Sequence, residues 1–118
     1  MQFLGISKEF SLRGEAQYDT IGAFWDEMAE KYGLESLLGL GYKWENGKIF
    51  YAIGLKSGII DGADFCLELP DRGWTAVVGK TDELKEIYQE IYKSGRLKYE
   101  IEEFYENGSC KIRYIRQG

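Results

Sequence analysis

The chain has 118 residues, 44% hydrophobic and 30% charged, enough for one packed core and too few for two independent ones. It has no histidine and two cysteines, which excludes Ser-His and Cys-His triads, histidine-based zinc sites and a four-thiolate zinc site. A net charge of -5 disfavours a phosphate-backbone partner, so no direct nucleic-acid binding is expected, and no cofactor or metal is implied.

The N-terminal stretch "MQFLGISKEF" lacks the basic start and apolar core of a signal peptide, and no run is apolar enough to span a bilayer. The expected location is therefore the cytoplasm, with no membrane association. "QFLGISKEFSLRGEAQY" reads as a short, polar pair of strands. In "TIGAFWDEMAEKYG" the positions Ile21, Phe24, Trp25, Met28, Ala29 and Tyr32 follow the rhythm of one helix face. Asp19 or Thr20 can cap this helix, and Gly33 stops it. "LGLGYKWENGKIFYAIGLKS" then reads as a hairpin turning at Asn46-Gly47, because the tight primed turn needs positive φ at both central residues.

The pattern recurs. "DFCLELPDRGWTAVVGK" reads as two strands around Pro70-Asp71-Arg72-Gly73, and "TDELKEIYQEIYKSG" as a helix burying Leu84, Ile87, Tyr88, Ile91 and Tyr92. Thr81 or Asp82 would cap it, and Gly95 would end it. "YEIEEFYENGSCKIRYIRQ" closes with a second hairpin at Asn107-Gly108. At an offset of about 61 residues, Trp44-Glu45-Asn46-Gly47 aligns with Tyr105-Glu106-Asn107-Gly108. The expected fold is α+β, a single domain over residues 1–118 with an internal repeat of about 1–60 and 61–118. Two pseudo-twofold β-β-α-β-β halves would share one antiparallel sheet with both helices on one face. Cys66 and Cys110 read as isolated, reduced strand residues. Lys111, Arg113 and Arg116 read as the solvated face of an outer strand.

One residue breaks the pattern. Alternate residues of a strand share a face, so Tyr99, Ile101, Glu103 and Tyr105 are expected on an inward row, with Glu100, Glu102 and Glu106 toward water. Glu103 then stands in an apolar row, where the other half carries Tyr42. A buried carboxylate protonates, finds a partner or faces a cleft. A structural role, paired with a lysine or hydrogen-bonded to a tyrosine, is the alternative.

In order and spacing, "IGAFWDEMAEKYG", "YAIGL", "LELPDRGWTAVVGK", "IYQEIYKSG" and "IEEFYENG" resemble successive motifs of the gyrase-inhibitor-like (GyrI-like) effector-binding domain. That domain is also the ligand-binding half of AraC-type and MerR-type multidrug regulators. The resemblance implies a pseudo-twofold pair of strand-helix-strand-strand modules. It also implies an aromatic groove for bulky, often cationic molecules, with a glutamate of the penultimate strand as counter-charge. Carried over residue by residue, the counter-charge falls on Glu103 beside Tyr105. The groove aromatics fall on Trp74, Tyr51 and the helix pair Phe24-Trp25, and Tyr42 and Tyr114 complete the candidate ligand-binding set. The second helix ends in Ile91-Tyr92-Lys93-Ser94-Gly95, where the family has Trp and Pro before Ser-Gly.

The leading expectation is a stand-alone binding module for bulky planar, cationic hydrophobic compounds. There is no room for a helix-turn-helix segment, so a homodimer or a separate regulator partner remains open. A second reading makes Glu103 catalytic, in a hydrolase of strained cyclopropane-type alkylating natural products like those some stand-alone members resemble. A third is a protein-binding inhibitor of gyrase.

Overall fold

The computed structural model describes residues 1–117. They form an antiparallel sheet of β1 (Gln2–Ser11), β2 (Leu37–Glu45), β3 (Lys48–Leu55), β4 (Phe65–Glu68), β5 (Thr75–Lys80), β6 (Leu97–Phe104) and β7 (Ser109–Arg116). Helix α1 (Gln17–Tyr32) precedes β2, and α2 (Leu84–Lys93) precedes β6. The strand order is β4-β1-β3-β2-β6-β7-β5. The units β1-α1-β2-β3 and β5-α2-β6-β7 have the same element order and meet at the β2–β6 pair. The α+β class and the antiparallel sheet with two helices are as the sequence suggests.

The strands before the helices differ from the expectation. "QFLGISKEFS" is one long strand rather than a pair. The second pair does form, but β4 joins β1 at one edge while β5 joins β7 at the other. A flat sheet would separate these edges by about 29 Å. The connection from Glu68 to Thr75 reaches about 25 Å at most. The sheet must therefore curl, and the connection crosses its helix-free face. Leu69 is buried there with Phe3, Leu40, Ala52 and Ile101.

The helices pack where their apolar stripes direct them. Phe24, Trp25 and Met28 of α1 are buried against Leu37, Tyr51 and Ile53. Tyr88 and Ile91 of α2 are buried against Leu97 and Ile112. Helix α1 starts three residues earlier than expected: it is led in by a short 3-10 turn at Arg13–Glu15, and Ala16 is its cap residue. Thr20 lies inside the first turn, with Oγ1 on the Ala16 carbonyl. Gly33, at φ 86°, stops the helix as anticipated.

Both hairpins turn at their Asn-Gly pairs, by different means. Asn46 and Gly47 have φ of 52° and 73°, the primed two-residue turn. In the second hairpin only Gly108 is left-handed, and Asn107 Oδ1 accepts from the Ser109 amide at 2.9 Å. Just before the first turn Lys43, at φ 55°, sits in a bulge between Tyr42 and Glu45. The bulge moves Trp44 onto the helix side, where it packs in the α2 cluster rather than sharing a face with Tyr42.

Candidate functional site

Strand β6 runs between β2 and β7, so neither of its edges is free. Phe104 packs edge-to-face on Trp25 of α1, with ring centroids 4.8 Å apart, and this fixes the even-numbered row on the helix side. Glu100 and Glu102 share that row, and each is only 4% exposed. The expectation that they face water is corrected. The two helices cover one face of β6 and the segment carrying Leu69 and Trp74 packs on the other, and the Phe104–Trp25 contact sets which row meets the helices.

Glu102 lies in a ladder of donors. Trp25 Nε1 donates to Tyr51 Oη at 2.7 Å, Tyr51 Oη donates to Glu102 Oε1, and Tyr88 Oη donates to Glu102 Oε2 at 2.8 Å. Glu100 is held less firmly, with Tyr92 Oη 3.5 Å from its Oε2. Facing them across the sheet are glycines: Gly39 is paired with Glu102 and Gly41 with Glu100. A Cβ on Gly39 would stand 2.0 Å from Tyr51 Oη, and one on Gly41 2.6 Å from Glu100 Oε1. These bare positions leave the space into which the tyrosine and the acid fold.

The acids line a cavity of about 450 Å³ between α1, α2 and the sheet. Trp25, Tyr18, Tyr51, Tyr88 and Phe104 supply aromatic wall, and the exposed Asp26 and Glu106 add two further acids. Its described lining contains no lysine or arginine. Neither Glu100 nor Glu102 enters an ion pair among the described residues. Gln17 Oε1, also in the wall, is a buried acceptor with no protein partner.

Burial pushes the Glu100 carboxyl well above the ordinary carboxylate range, the Glu102 charge adds to the effect, and the phenols of Tyr88 and Tyr92 oppose it. Burial also raises Glu102, where the phenols of Tyr51 and Tyr88 work in the opposite direction. The phenols move too: burial drives Tyr51 and Tyr88 upward, and Tyr18 is pushed up to about 12 by burial and then by acids including Glu15 and Glu100. The tyrosines therefore stay protonated and act as donors. The group able to hold or exchange a proton is Glu102 with Tyr51 and Tyr88, together with Glu100.

Glu103 lies on the opposite face. It pairs with Lys56 Nζ at 3.4 Å and with Arg113 at 3.7 Å, the structural role that the sequence left as the alternative. Arg113 is thus engaged rather than simply solvated. Of the other expected residues, Tyr51, Trp25 and Tyr105 line the cavity. Phe24 is buried in the core beside Phe10. Tyr42 stacks on Phe65 at 4.6 Å on the helix-free side. Trp74 packs in that same cluster, with Nε1 donating to the Pro70 carbonyl at 2.8 Å. Tyr114 lines a separate depression beside α2, under the Arg116 guanidinium. Glu100, Glu102, Tyr88 and Tyr18 are the cavity residues that sequence reasoning passed over.

Both cysteines are free, Cys66 exposed and Cys110 buried. Among the described residues, no helix is long and apolar enough to cross a membrane.

No protein-family model matches the chain, and no curated relative matches it. Among solved structures, that of SAV2435 bound to tetraphenylphosphonium is similar, with a TM-score of 0.70 and 14% identity. The alignment covers 100% of this chain and 89% of that one. At this identity the likeness establishes a shared fold.

Proposed function

We propose that this chain is a binding module for bulky, hydrophobic cations, a single GyrI-like effector-binding domain whose two β-α-β-β units are a duplicated pair. The cavity between the helices and the sheet is its site, with Glu102 as principal counter-charge. One observation carries the reading. Two carboxylates are buried in an aromatic cavity with phenol donors but no cationic partner in the described lining. Burying an ionised acid in this way is unfavourable unless a positive charge joins it. Trp25, Tyr51 and Tyr105 are among the aromatic residues of the lining, and a cation over a ring face gains about 0.5–2 kcal/mol. The fold shared with a protein solved with tetraphenylphosphonium supports the same reading.

The test uses two ions of one shape. Tetraphenylphosphonium and tetraphenylborate differ in sign and hardly in size. The phosphonium is expected to bind at micromolar concentration and the borate not at all. Glu102→Gln should weaken the phosphonium by about tenfold or more, as for loss of a desolvated charge partner. Equal binding of both ions would leave hydrophobic burial as the whole explanation and end the counter-charge assignment.

A further inference from the structure

The cavity holds two acids where one counter-charge would suffice. Glu100 and Glu102 are two residues apart on one strand, so their backbone positions stand about 6.8 Å apart on the same wall. Their surroundings differ. Both oxygens of Glu102 accept from phenols, whereas Glu100 has the long contact to Tyr92 and its Oε1 lies over Gly41. We infer that the site is built for flat dications whose positive centres are spaced to meet both carboxylates, Glu102 serving the first charge and Glu100 the second. This rests on the cation-binding reading above.

Geometry also sets the order of ionisation. Glu102, held by two donors, keeps its negative charge more easily. Glu100, beside that charge, shares the Tyr88 phenol with Glu102 and otherwise has only the long contact to Tyr92, and it holds the proton in the unliganded protein. The charged and titratable groups around the pair are Tyr18 from α1, Tyr51 from β3, Tyr88 and Tyr92 from α2, and Cys110 and Tyr114 from β7. The exposed Asp26 and Glu106 stand farther out. The nearby lysine, Lys85, lies over the Tyr18 ring at 5.8 Å and pairs with Glu15 at 3.4 Å. None of these offers Glu100 a resident positive charge. A monocation leaves Glu100 protonated. A dication breaks its O–H bond, and the proton passes to the buffer as the carboxylate takes up the second charge.

Three probes of one shape separate the possibilities. Methyl viologen is a flat dication whose nitrogens are spaced much like residues two apart on a strand. N-methyl-4-(4-methylphenyl)pyridinium has the same skeleton with one charge, and 4,4′-dimethylbiphenyl has none. At pH 8 viologen should bind about tenfold tighter than the monocation, and Glu100→Gln should erase that margin. Calorimetry of the wild-type protein at pH 7, in buffers of different ionisation enthalpy, should show viologen releasing about one more proton than the monocation. Equal proton release overturns the inference without reference to any variant. So does equal affinity, or a margin that survives Glu100→Gln. If the monocation outbinds the neutral skeleton while viologen gains nothing, the cation site stands and the two-charge inference falls. If neither cation outbinds the neutral skeleton, both fall.

Discussion

Strand β6 places three glutamates within four residues and puts them in two different environments. On the helix-free side Glu103 meets two cations, Lys56 and Arg113, and its side chain is 14% exposed. On the helix side Glu100 and Glu102 meet phenols alone, and burial raises both. Residue type and strand are the same, so neighbours and solvent make the difference. A carboxylate with resident cations stabilises the fold when ionised. A carboxylate without them is in tension with the fold until a cation arrives.

The largest effect should come from removing the space that the helix-side acids depend on. Gly39→Ala drives a methyl group into Tyr51 Oη and to within 2.7 Å of the Trp25 ring, so either the ladder to Glu102 or the helix must shift. Chemical denaturation should show a loss of about 3 kcal/mol, with cation binding lost as well. An unchanged midpoint would mean that the ladder is not tightly packed. Tyr51→Phe comes next. It leaves Trp25 Nε1 without its acceptor and takes one of two donors from Glu102. The expected loss is about 1–3 kcal/mol. Cation affinity at pH 7 should weaken too, because Glu102 then protonates more easily.

These contrasts also mark what the sequence could and could not disclose. Helix faces were legible because Phe24, Trp25 and Met28, like Tyr88 and Ile91, repeat at helical spacing, and burial follows that repeat directly. The Asn-Gly turns were legible for a local backbone reason. The facing of β6 was not. Alternation says which residues share a face, but in this sheet both faces of β6 are covered, and Ile101 and Glu102 are equally credible as the inward residue. The resemblance pointed to Glu103, whose neighbour Glu102 faces the cavity, and on a strand one residue exchanges one face for the other. A usable signal was present in β2. Gly39 and Gly41, at the offset that aligns the repeats, stand where the other half has Glu100 and Glu102, and paired glycines inside a strand mark a close approach of bulky groups. The fates of Trp74 and Tyr42 depended on the curl of the sheet, and that of Trp44 on the Lys43 bulge, which involve long-range connection and a left-handed residue with no sequence signature.

The pH dependence sharpens the comparison with a smaller effect of opposite sign. The folded protein holds the Glu100 proton more strongly than the unfolded chain, whose value lies near 4.5. Stability contributed by this group is therefore intact below that value. It declines as pH rises toward the raised folded value and is level beyond it. Glu100→Gln removes the slope. The variant should match wild type near pH 4 and exceed it by about 1–2 kcal/mol at pH 8, as for an unpaired buried charge removed. Thermal melts of both proteins from pH 4 to 9 would show it. A variant less stable than wild type at pH 8 would mean that Glu100 already has a partner as effective as those of Glu103.

The smallest effect is expected on the other face, and it completes the contrast. Glu103→Gln keeps shape and removes charge, leaving Lys56 and Arg113 facing an amide. The lysine is 30% exposed and the arginine 28%, so both remain partly hydrated and the pairing is screened. The loss should be about 0.5–1 kcal/mol, within the range for partly exposed ion pairs, and it should shrink as salt is raised to about 1 M, where the screening length falls to about 3 Å. Cation affinity should stay within about twofold of wild type, because the strand lies between Glu103 and the cavity. Glu103→Gln and Glu100→Gln therefore make the same chemical change two strand positions from Ile101 and one position from it, on opposite faces, with opposite signs in stability. If Glu103→Gln instead cut tetraphenylphosphonium affinity tenfold and left the midpoint untouched, the facing of β6 in solution would be the reverse of that described. The cavity acids would then be the structural pair, and Glu103 the counter-charge.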